Sequence, residues 1–127
     1  MKIFHYANIP IPLRPNSKYP LEKFSLLKQG VLQNRLVSPE DLIEGLSVDK
    51  SILMLAHTKN YIENMASGNV TEKQMREMGF PWSEALNERG SRIVGCTLGA
   101  TQAALDDGIS IVLGGGAHHA RKDGGRG

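Results

Sequence analysis

Apolar positions recur at two different spacings along this chain of 127 residues, and each spacing predicts a different kind of element. Apolar residues three or four apart predict a helix that begins near residue 21, with one face formed by Leu21, Phe24, Leu27 and Val31. Residues 109–113 are instead an almost unbroken apolar run with β-branched members, which is typical of a strand buried on both faces of a parallel sheet. Residues 3–6 predict a further short strand at the start of the chain.

Capping residues divide the middle of the chain into short predicted helices. Ser38 before Pro39 predicts a helix over residues 38–46, because serine can cap and proline suits the first helical position. Asp49 predicts the start of a second helix that ends at Gly68, with an inner face of Ile52, Leu55, Ala56 and Ile62. Thr71 with Gln74 resembles a capping box for a third helix, which ends near Gly79.

Small residues mark the last predicted helix, over residues 91–107. Gly95, Gly99 and Ala103 stand four apart, so one helix face is nearly flat and can lie very close to a sheet. Gly108 closes this helix and the strand at 109–113 follows at once. The pattern as a whole predicts a helix-rich α/β fold with a small parallel sheet, in one domain that covers residues 1–127.

Composition and charge exclude several classes of function. The chain is 40% hydrophobic and 22% charged, with a formal charge of +2, which is ordinary for a globular protein and too mild for a nucleic-acid-binding domain. No run is long enough to cross a membrane, and the start does not resemble a signal peptide, so we expect a cytoplasmic protein. The single cysteine, Cys96, excludes an internal disulfide and a cysteine-based zinc site, and its small apolar neighbours favour a buried thiol.

Three glycines and two histidines follow the predicted strand at 109–113. Ligands bind at the carboxyl ends of the strands in open α/β sheets, so His118 and His119 lie where chemistry is expected. Adjacent residues in extended chain point to opposite sides, which argues against both rings chelating one metal and favours proton transfer instead. A glycine-rich turn with two exposed histidines also fits, whereas a phosphate cradle does not, because the lysine and serine or threonine of a P-loop are missing.

Four segments, in chain order, resemble landmarks of the histone deacetylase and acetylpolyamine amidohydrolase superfamily. Residues 113–120 are similar to its GG-x-HH-A signature, and residues 18–27 resemble the early FPMxKYxLL stretch of its bacterial and class IV members. Residues 57–62 resemble the H-[ST]-x-x-Y helix. Residues 79–83 with Arg89 resemble the loop that precedes a VGGT helix, here residues 94–97. The resemblance implies part of the three-layer fold of arginases and deacetylases.

The resemblance also implies roles for individual residues. His119 would be the general base toward the attacking water, and His118 would supply electrostatic stabilisation and shuttle protons. Gly127 would place its backbone carbonyl near the substrate amide, and Phe80 lies in a loop that borders the substrate channel in family members. His57 and His5 are interpreted as structural histidines. The implied reaction is the zinc-dependent hydrolysis of acetyl-lysine or acetylpolyamine amides.

The zinc ligands of the family, an Asp-x-His motif and a later aspartate, would follow Gly127. We therefore expect the N-terminal part of a deacetylase domain, with no metal ligands or cofactor in this chain and no hydrolysis by the chain alone. The carboxylates that orient both histidines would be outside it too, which predicts that their tautomers are not fixed. The strand at 109–113 would lack neighbours, which predicts a homo-oligomer, possibly one that exchanges elements. Two alternatives stay open: a non-catalytic interaction module, and half of a split deacetylase completed in trans by a C-terminal half.

Overall fold

The computed structural model describes residues 1–6 and 9–127. Their elements are β1 (Lys2–His5), α1 (Lys23–Gln33), a 3-10 turn (Pro39–Asp41), β2 (Leu42–Glu44), α2 (Lys50–Leu53), α3 (Lys59–Ser67), α4 (Glu72–Met78), α5 (Glu84–Asp107), β3 (Ser110–Val112), β4 (His119–Arg121) and β5 (Gly124–Arg126). The predicted class, a helix-rich α/β fold with a small parallel sheet, is confirmed.

A parallel sheet of three strands forms the base of the fold, in the order β2-β1-β3. The central strand β1 pairs with both neighbours, so that Phe4 lies opposite Ile43 on one side and Val112 on the other. Strands β4 and β5 form a separate antiparallel hairpin, in which His119 pairs with Arg126. The two histidines thus lie where the chain passes from the third parallel strand to this hairpin.

Helix α5 packs directly on the sheet, and its small residues make this possible. A Cβ atom on Gly99 would lie 2.6 Å from the ring of Phe4, and one on Gly95 would overlap the carbonyl oxygen of Leu46. Cys96, between them, is fully buried and belongs to the main core cluster, as predicted for this thiol. Although α5 is 24 residues long, no helix in the described residues has both the length and the apolar character needed to span a bilayer.

Several predicted helix ends are confirmed. Thr71 and Gln74 form a complete capping box at the start of α4. Gly68, Gly79 and Gly108 end α3, α4 and α5 in the left-handed conformation, where glycine has no Cβ to strain. These short-range signals were sufficient to predict the helix ends, because each depends only on residues within one turn of the end.

Three predicted helices have wrong boundaries. The helix expected over residues 38–46 is a single 3-10 turn followed by β2, because residues 42–44 pair with β1 and this pairing outweighs the local helix signal. The helix expected from Asp49 to Gly68 is broken into α2 and α3, and Leu55, expected on its inner face, is 84% exposed. Helix α5 begins at Glu84 rather than at residue 91, because Ser83 caps it by accepting a hydrogen bond from the Leu86 amide.

Strand β3 is present where the apolar run predicted it, but its predicted burial on both faces is wrong. Ile111 is 40% exposed and Ile109, just before the strand, is 56% exposed. Within the described residues β3 pairs only with β1 and is therefore an edge strand. Leu113, by contrast, is buried against Ile3 and Val31 in a second, smaller core cluster.

Candidate functional site

A buried cluster of two aromatic rings and one guanidinium lies beneath the loop that leads to the histidines. Arg89 of α5 is only 4% exposed, and its guanidinium lies 4.6 Å from the ring centre of Tyr6 and 4.5 Å from that of Phe24. Its Nη1 donates a hydrogen bond of 2.8 Å to the carbonyl oxygen of Ile9. Cation–π contacts of this kind strengthen when the cation is removed from water. The cluster is therefore a rigid base for the loop above it.

Tyr6 connects this cluster to the glycine loop, residues 114–116. Its hydroxyl donates a hydrogen bond of 2.8 Å to the carbonyl oxygen of Gly115. Burial raises the pKa of Tyr6 to about 12, against a smaller opposing effect of Arg89. The hydroxyl thus stays protonated at physiological pH and remains a donor to the loop.

Gly114 is the position in this loop where only glycine fits. Its φ is +96°, and a Cβ there would lie 2.5 Å from the Phe24 ring and 2.7 Å from the Tyr6 hydroxyl. Gly115 and Gly116 have no such neighbour. The close approach of backbone to the aromatic cluster at Gly114 sets the direction in which the chain continues to His118.

His118 contacts three residues that come from other parts of the sequence. Its Nε2 lies 2.6 Å from the carbonyl oxygen of Met78, and since a carbonyl only accepts, Nε2 carries the proton. The ring contacts Phe80 edge to face, with 5.4 Å between ring centres. A Cβ on Gly127 would lie 3.1 Å from Cδ2 of His118, so the predicted substrate-binding residues Phe80 and Gly127 both adjoin this ring.

This geometry corrects one expectation about tautomers. We expected both rings to lack an orienting partner, but the Met78 carbonyl orients the ring of His118. In the neutral ring Nδ1 is then the unprotonated nitrogen and is free to accept a proton. The hydrogen bond to the Met78 carbonyl therefore orients the His118 ring with Nδ1 as its acceptor nitrogen.

His119 lies in a different environment from its neighbour. It is the first residue of β4, its side chain is exposed, and it is not among the residues that line the cavity beside His118. Backbone pairing with Arg126 fixes its main chain, while its side chain is exposed to solvent. The two histidines are therefore adjacent in sequence but unequal in how firmly they are held.

A cavity of about 180 Å³ opens beside His118. Its aromatic members are Tyr19, Tyr61 and Phe80, and Tyr19 contacts Phe80 edge to face at 4.9 Å between centres. Arg89 and His57 also line it. Most of the remaining lining is apolar, so the cavity suits an apolar group with few polar contacts.

Hydrogen bonds attach the hairpin to α4 and to the two residues that precede α3. The Thr58 amide donates to the carbonyl of Lys122 at 2.7 Å, and Nδ1 of His57 donates to the carbonyl of Arg121, also at 2.7 Å. The Gly127 amide donates to the carbonyl of Glu77. His57 is thus structural as expected, but the sequence carried no signal that it would hold the strand that contains His119.

The described residues do not form a zinc site. They contain no group of three or more histidine, cysteine, aspartate or glutamate side chains close enough to hold a metal ion. One of the two candidate rings, His118, has a nitrogen committed to the Met78 carbonyl. A zinc ion would need further ligands from outside this sequence, since a catalytic site ordinarily takes three from protein.

The histone deacetylase domain matches residues 18–127, which is most of the sequence. This chain belongs to the histone deacetylase family. An uncharacterized protein of Picosynechococcus sp. is 30% identical over 118 residues, which are 93% of this chain and 39% of that protein. The family implies zinc in its full-length members.

Solved structures of bacterial relatives share the fold. An HDAC homolog from Aquifex aeolicus matches with a TM-score of 0.72 at 25% identity, over 97% of this chain and 36% of that one. An HDAC homolog complexed with SAHA matches with a TM-score of 0.71 at 24% identity, over 96% and 36%. The fold is therefore part of the deacetylase fold, as the sequence resemblance implied, and the chain spans little more than a third of these relatives.

Proposed function

We propose that this chain supplies the acid–base half and one cavity wall of an amide-hydrolysing deacetylase site, and that it is inactive by itself. The observation that carries the proposal is the arrangement of His118, with one ring nitrogen on the Met78 carbonyl and the ring edge against Phe80. A ring held in this way presents its other nitrogen as a proton acceptor beside an apolar cavity.

The division of work between the two histidines follows from how they are held. His118, fixed in one tautomer, suits electrostatic stabilisation beside the scissile amide and the shuttling of a proton through Nδ1. His119, which is exposed, suits proton transfer from the attacking water to the departing amine. The substrate class in this proposal is an acetylated amine, either acetyl-lysine or an acetylpolyamine. Phe80 and the backbone of Gly127 would contact the substrate where they adjoin His118.

The metal would come with ligands from outside these 127 residues. Both solved relatives are nearly three times as long as the part that this chain covers, so their folds contain further segments that could supply them. Such a segment can act in the same polypeptide or as a partner in trans, and comparing a fusion with a mixture of the two pieces distinguishes these arrangements.

The test is a fusion of this chain to the segment of the Aquifex aeolicus homolog that follows the matched part. We expect the chain alone to leave an acetyl-lysine peptide unhydrolysed, and the zinc-loaded fusion to hydrolyse it. His119→Ala in the fusion should lower kcat by about 100-fold or more, because a general base contributes at least that much. Mixing the two pieces unfused tests completion in trans.

Lys59→Ala is the matched control, because this side chain is exposed and pairs with Glu63 on the same helix. It should leave kcat unchanged. A folded, zinc-containing fusion without turnover would contradict the proposal, as would turnover that survives His119→Ala. Hydrolysis by the chain alone would contradict the second part of it.

A second function is favoured by one observation: within the part of the chain that the structure describes, one edge of β3 pairs with no strand. Ile109 and Ile111 are exposed beside this edge, and Leu105 at the end of α5 is 77% exposed. Exposed apolar side chains next to unpaired backbone groups are a template for pairing with another strand. We propose that two copies of the chain associate through this edge when no other segment covers it.

Sedimentation of the chain over a wide concentration range tests this association. We expect a dimer or larger oligomer, and we expect Ile111→Lys to shift it toward monomer, since a charge on an edge strand opposes strand pairing. Ile52→Lys is the control, because Ile52 is similarly exposed but lies on α2, away from β3. A monomer at all concentrations would exclude the oligomer.

A further inference from the structure

His5 is a buried imidazole with an unpaired nitrogen. It is the last residue of β1 and is only 2% exposed, and its Nδ1 is buried without a hydrogen-bond partner in the described residues. In the neutral ring Nδ1 can be the nitrogen without a proton, and an unpaired acceptor costs less than an unpaired charged donor. The surroundings of His5 therefore suit the neutral ring and disfavour the protonated one.

His5 lies on the face of the sheet that packs against α1. Residues two apart on a strand share a face, so His5 is on the same face as Ile3, which packs against Val31 of α1. Lys28 lies three residues before Val31 on this helix, and its positive charge acts on His5. A protonated His5 would thus meet a second positive charge beneath the helix.

The other neighbours of His5 offer little compensation. On β2, Glu44 lies opposite His5 in the parallel register and favours the charged ring, but Glu44 is itself paired with Arg92 at 3.0 Å. On the other side of β1, strand β3 has no titratable side chain. Burial, followed by the charge of Lys28, outweighs Glu44 and holds the pKa of His5 below its ordinary value of 6.5.

Helix α1 connects His5 to the candidate site. Phe24 lies four residues before Lys28, so the two side chains are on one face of α1. The ring of Phe24 lies against Gly114, where the glycine loop begins. If α1 moves away from the sheet, the loop that leads to His118 loses this support.

We propose that His5 is an acid-sensitive switch: protonation of its ring loosens the packing of α1 on the sheet and removes the support of the glycine loop. The candidate site is then ordered at neutral pH and loosened in mild acid. As regulation of a deacetylase site this rests on the proposed function, but it is tested in the chain alone, without zinc or turnover.

The direction of the effect follows from which state takes up the proton first. As the pH falls through 6.5, the imidazole of the unfolded chain is protonated while the folded one stays neutral. The stability that depends on neutral His5 is therefore complete above this pH and is lost as the pH falls toward the lowered pKa of the folded ring. Local opening of α1 has the same sign, because it exposes the ring to water.

The experiment is amide hydrogen exchange of the 127-residue chain at pH 7 and pH 5, followed by NMR and corrected for the intrinsic exchange rate at each pH. We expect the protection of α1 to fall about tenfold between these values, because opening takes up a proton that the closed state refuses. The protection of α4, which does not pack on His5, should stay the same. A titration of the His5 ring resonances in the folded chain should give a midpoint below 6.5.

Variants assign the effect to one ring. His5→Phe keeps an aromatic ring that cannot be protonated, so the protection of α1 should be equal at the two pH values. Lys28→Gln should make the fall smaller, since it removes the like charge that faces the protonated ring. His119→Gln is the control, because it removes an imidazole that is already exposed to water, and it should leave the fall unchanged.

Three outcomes would overturn the proposal. The first is equal protection of α1 at pH 7 and pH 5 in the wild-type chain, which does not depend on whether any variant folds. The second is a fall that survives His5→Phe. The third is a His5 ring that titrates at its ordinary value in the folded chain. A fusion without turnover would contradict the deacetylase proposal and would leave all three of these measurements as they are.

Discussion

The glycine loop at residues 114–116 and the hairpin that follows it are neighbours in sequence but are held by different means. The loop rests on buried side chains: Gly114 lies against Phe24, and the Gly115 carbonyl accepts a hydrogen bond from the Tyr6 hydroxyl. The hairpin has an exposed first strand and is attached by hydrogen bonds to α4 and to the two residues that precede α3. The direction from which His118 is presented thus depends on the core of this chain, whereas the strand of His119 depends on a few surface hydrogen bonds.

The largest effect is expected where the loop meets the core. Gly114→Ala places a Cβ at a φ of +96° and into contact with the Phe24 ring and the Tyr6 hydroxyl. Backbone strain and overpacking each cost about 1–3 kcal/mol, so the free energy of unfolding should fall by about 2–5 kcal/mol. Urea unfolding followed by circular dichroism measures this change.

Gly115→Ala is the matched control, one residue away. A Cβ there has no neighbour within 4 Å, and Gly115 is not among the glycines with positive φ. We expect it to change the free energy of unfolding by about 0.5 kcal/mol or less, as for other open positions. Equal destabilisation by both substitutions would mean that the loop is not seated on the aromatic cluster.

A smaller effect is expected at the hydrogen bond that joins the core to the loop. Tyr6→Phe keeps the ring against Phe24 and Arg89 but removes the donor to the Gly115 carbonyl. The loss of one such bond should lower the free energy of unfolding by about 1 kcal/mol at neutral pH. Urea unfolding at pH 7 gives this difference directly.

The same substitution has a signature in the pH dependence of stability. Burial raises the pKa of Tyr6 to about 12 in the folded chain, above its ordinary value of 10.0. Between these values the unfolded chain loses the proton first, so the stability from Tyr6 is complete below pH 10 and declines as the pH rises toward 12. Tyr6→Phe should remove this part of the alkaline decline. Identical alkaline profiles for the two proteins would contradict the burial of a protonated hydroxyl.

Local signals in the sequence predicted the fold where neighbours along the chain decide the structure. The capping box at Thr71, the glycine stops and the apolar run of β3 are of this kind. The strand β2 could not be predicted in this way, because residues 42–44 become a strand only by pairing with β1, about forty residues away. The burial of β3 on both faces was wrongly predicted for the same reason, since burial depends on which strands are present.

In the candidate site, too, local features could be predicted from the sequence and contacts between distant segments could not. His118 and His119 were identifiable from their position after a strand and from the family signature. Contacts between distant segments were not, and these include the Met78 carbonyl behind His118 and the Arg89 guanidinium under the loop. Arg89 was noted only as part of a motif, because no local pattern indicates that an arginine on a helix will be buried between two rings.

The smallest effect, and the one that isolates the hairpin, is expected from His57→Phe. Phenylalanine retains a ring to contact Tyr61 but cannot donate to the Arg121 carbonyl, as Nδ1 of His57 does at 2.7 Å. The free energy of unfolding should change by less than about 1 kcal/mol, while amide hydrogen exchange in β4 and β5 becomes several times faster. Lys59→Ala, two residues later at the start of α3, should leave both unchanged. Because the Thr58 amide still holds Lys122, the hairpin should loosen without detaching. If exchange instead accelerates equally in β1 and α5, His57 stabilises the whole fold. The hairpin would then not be held separately from the core that supports the glycine loop.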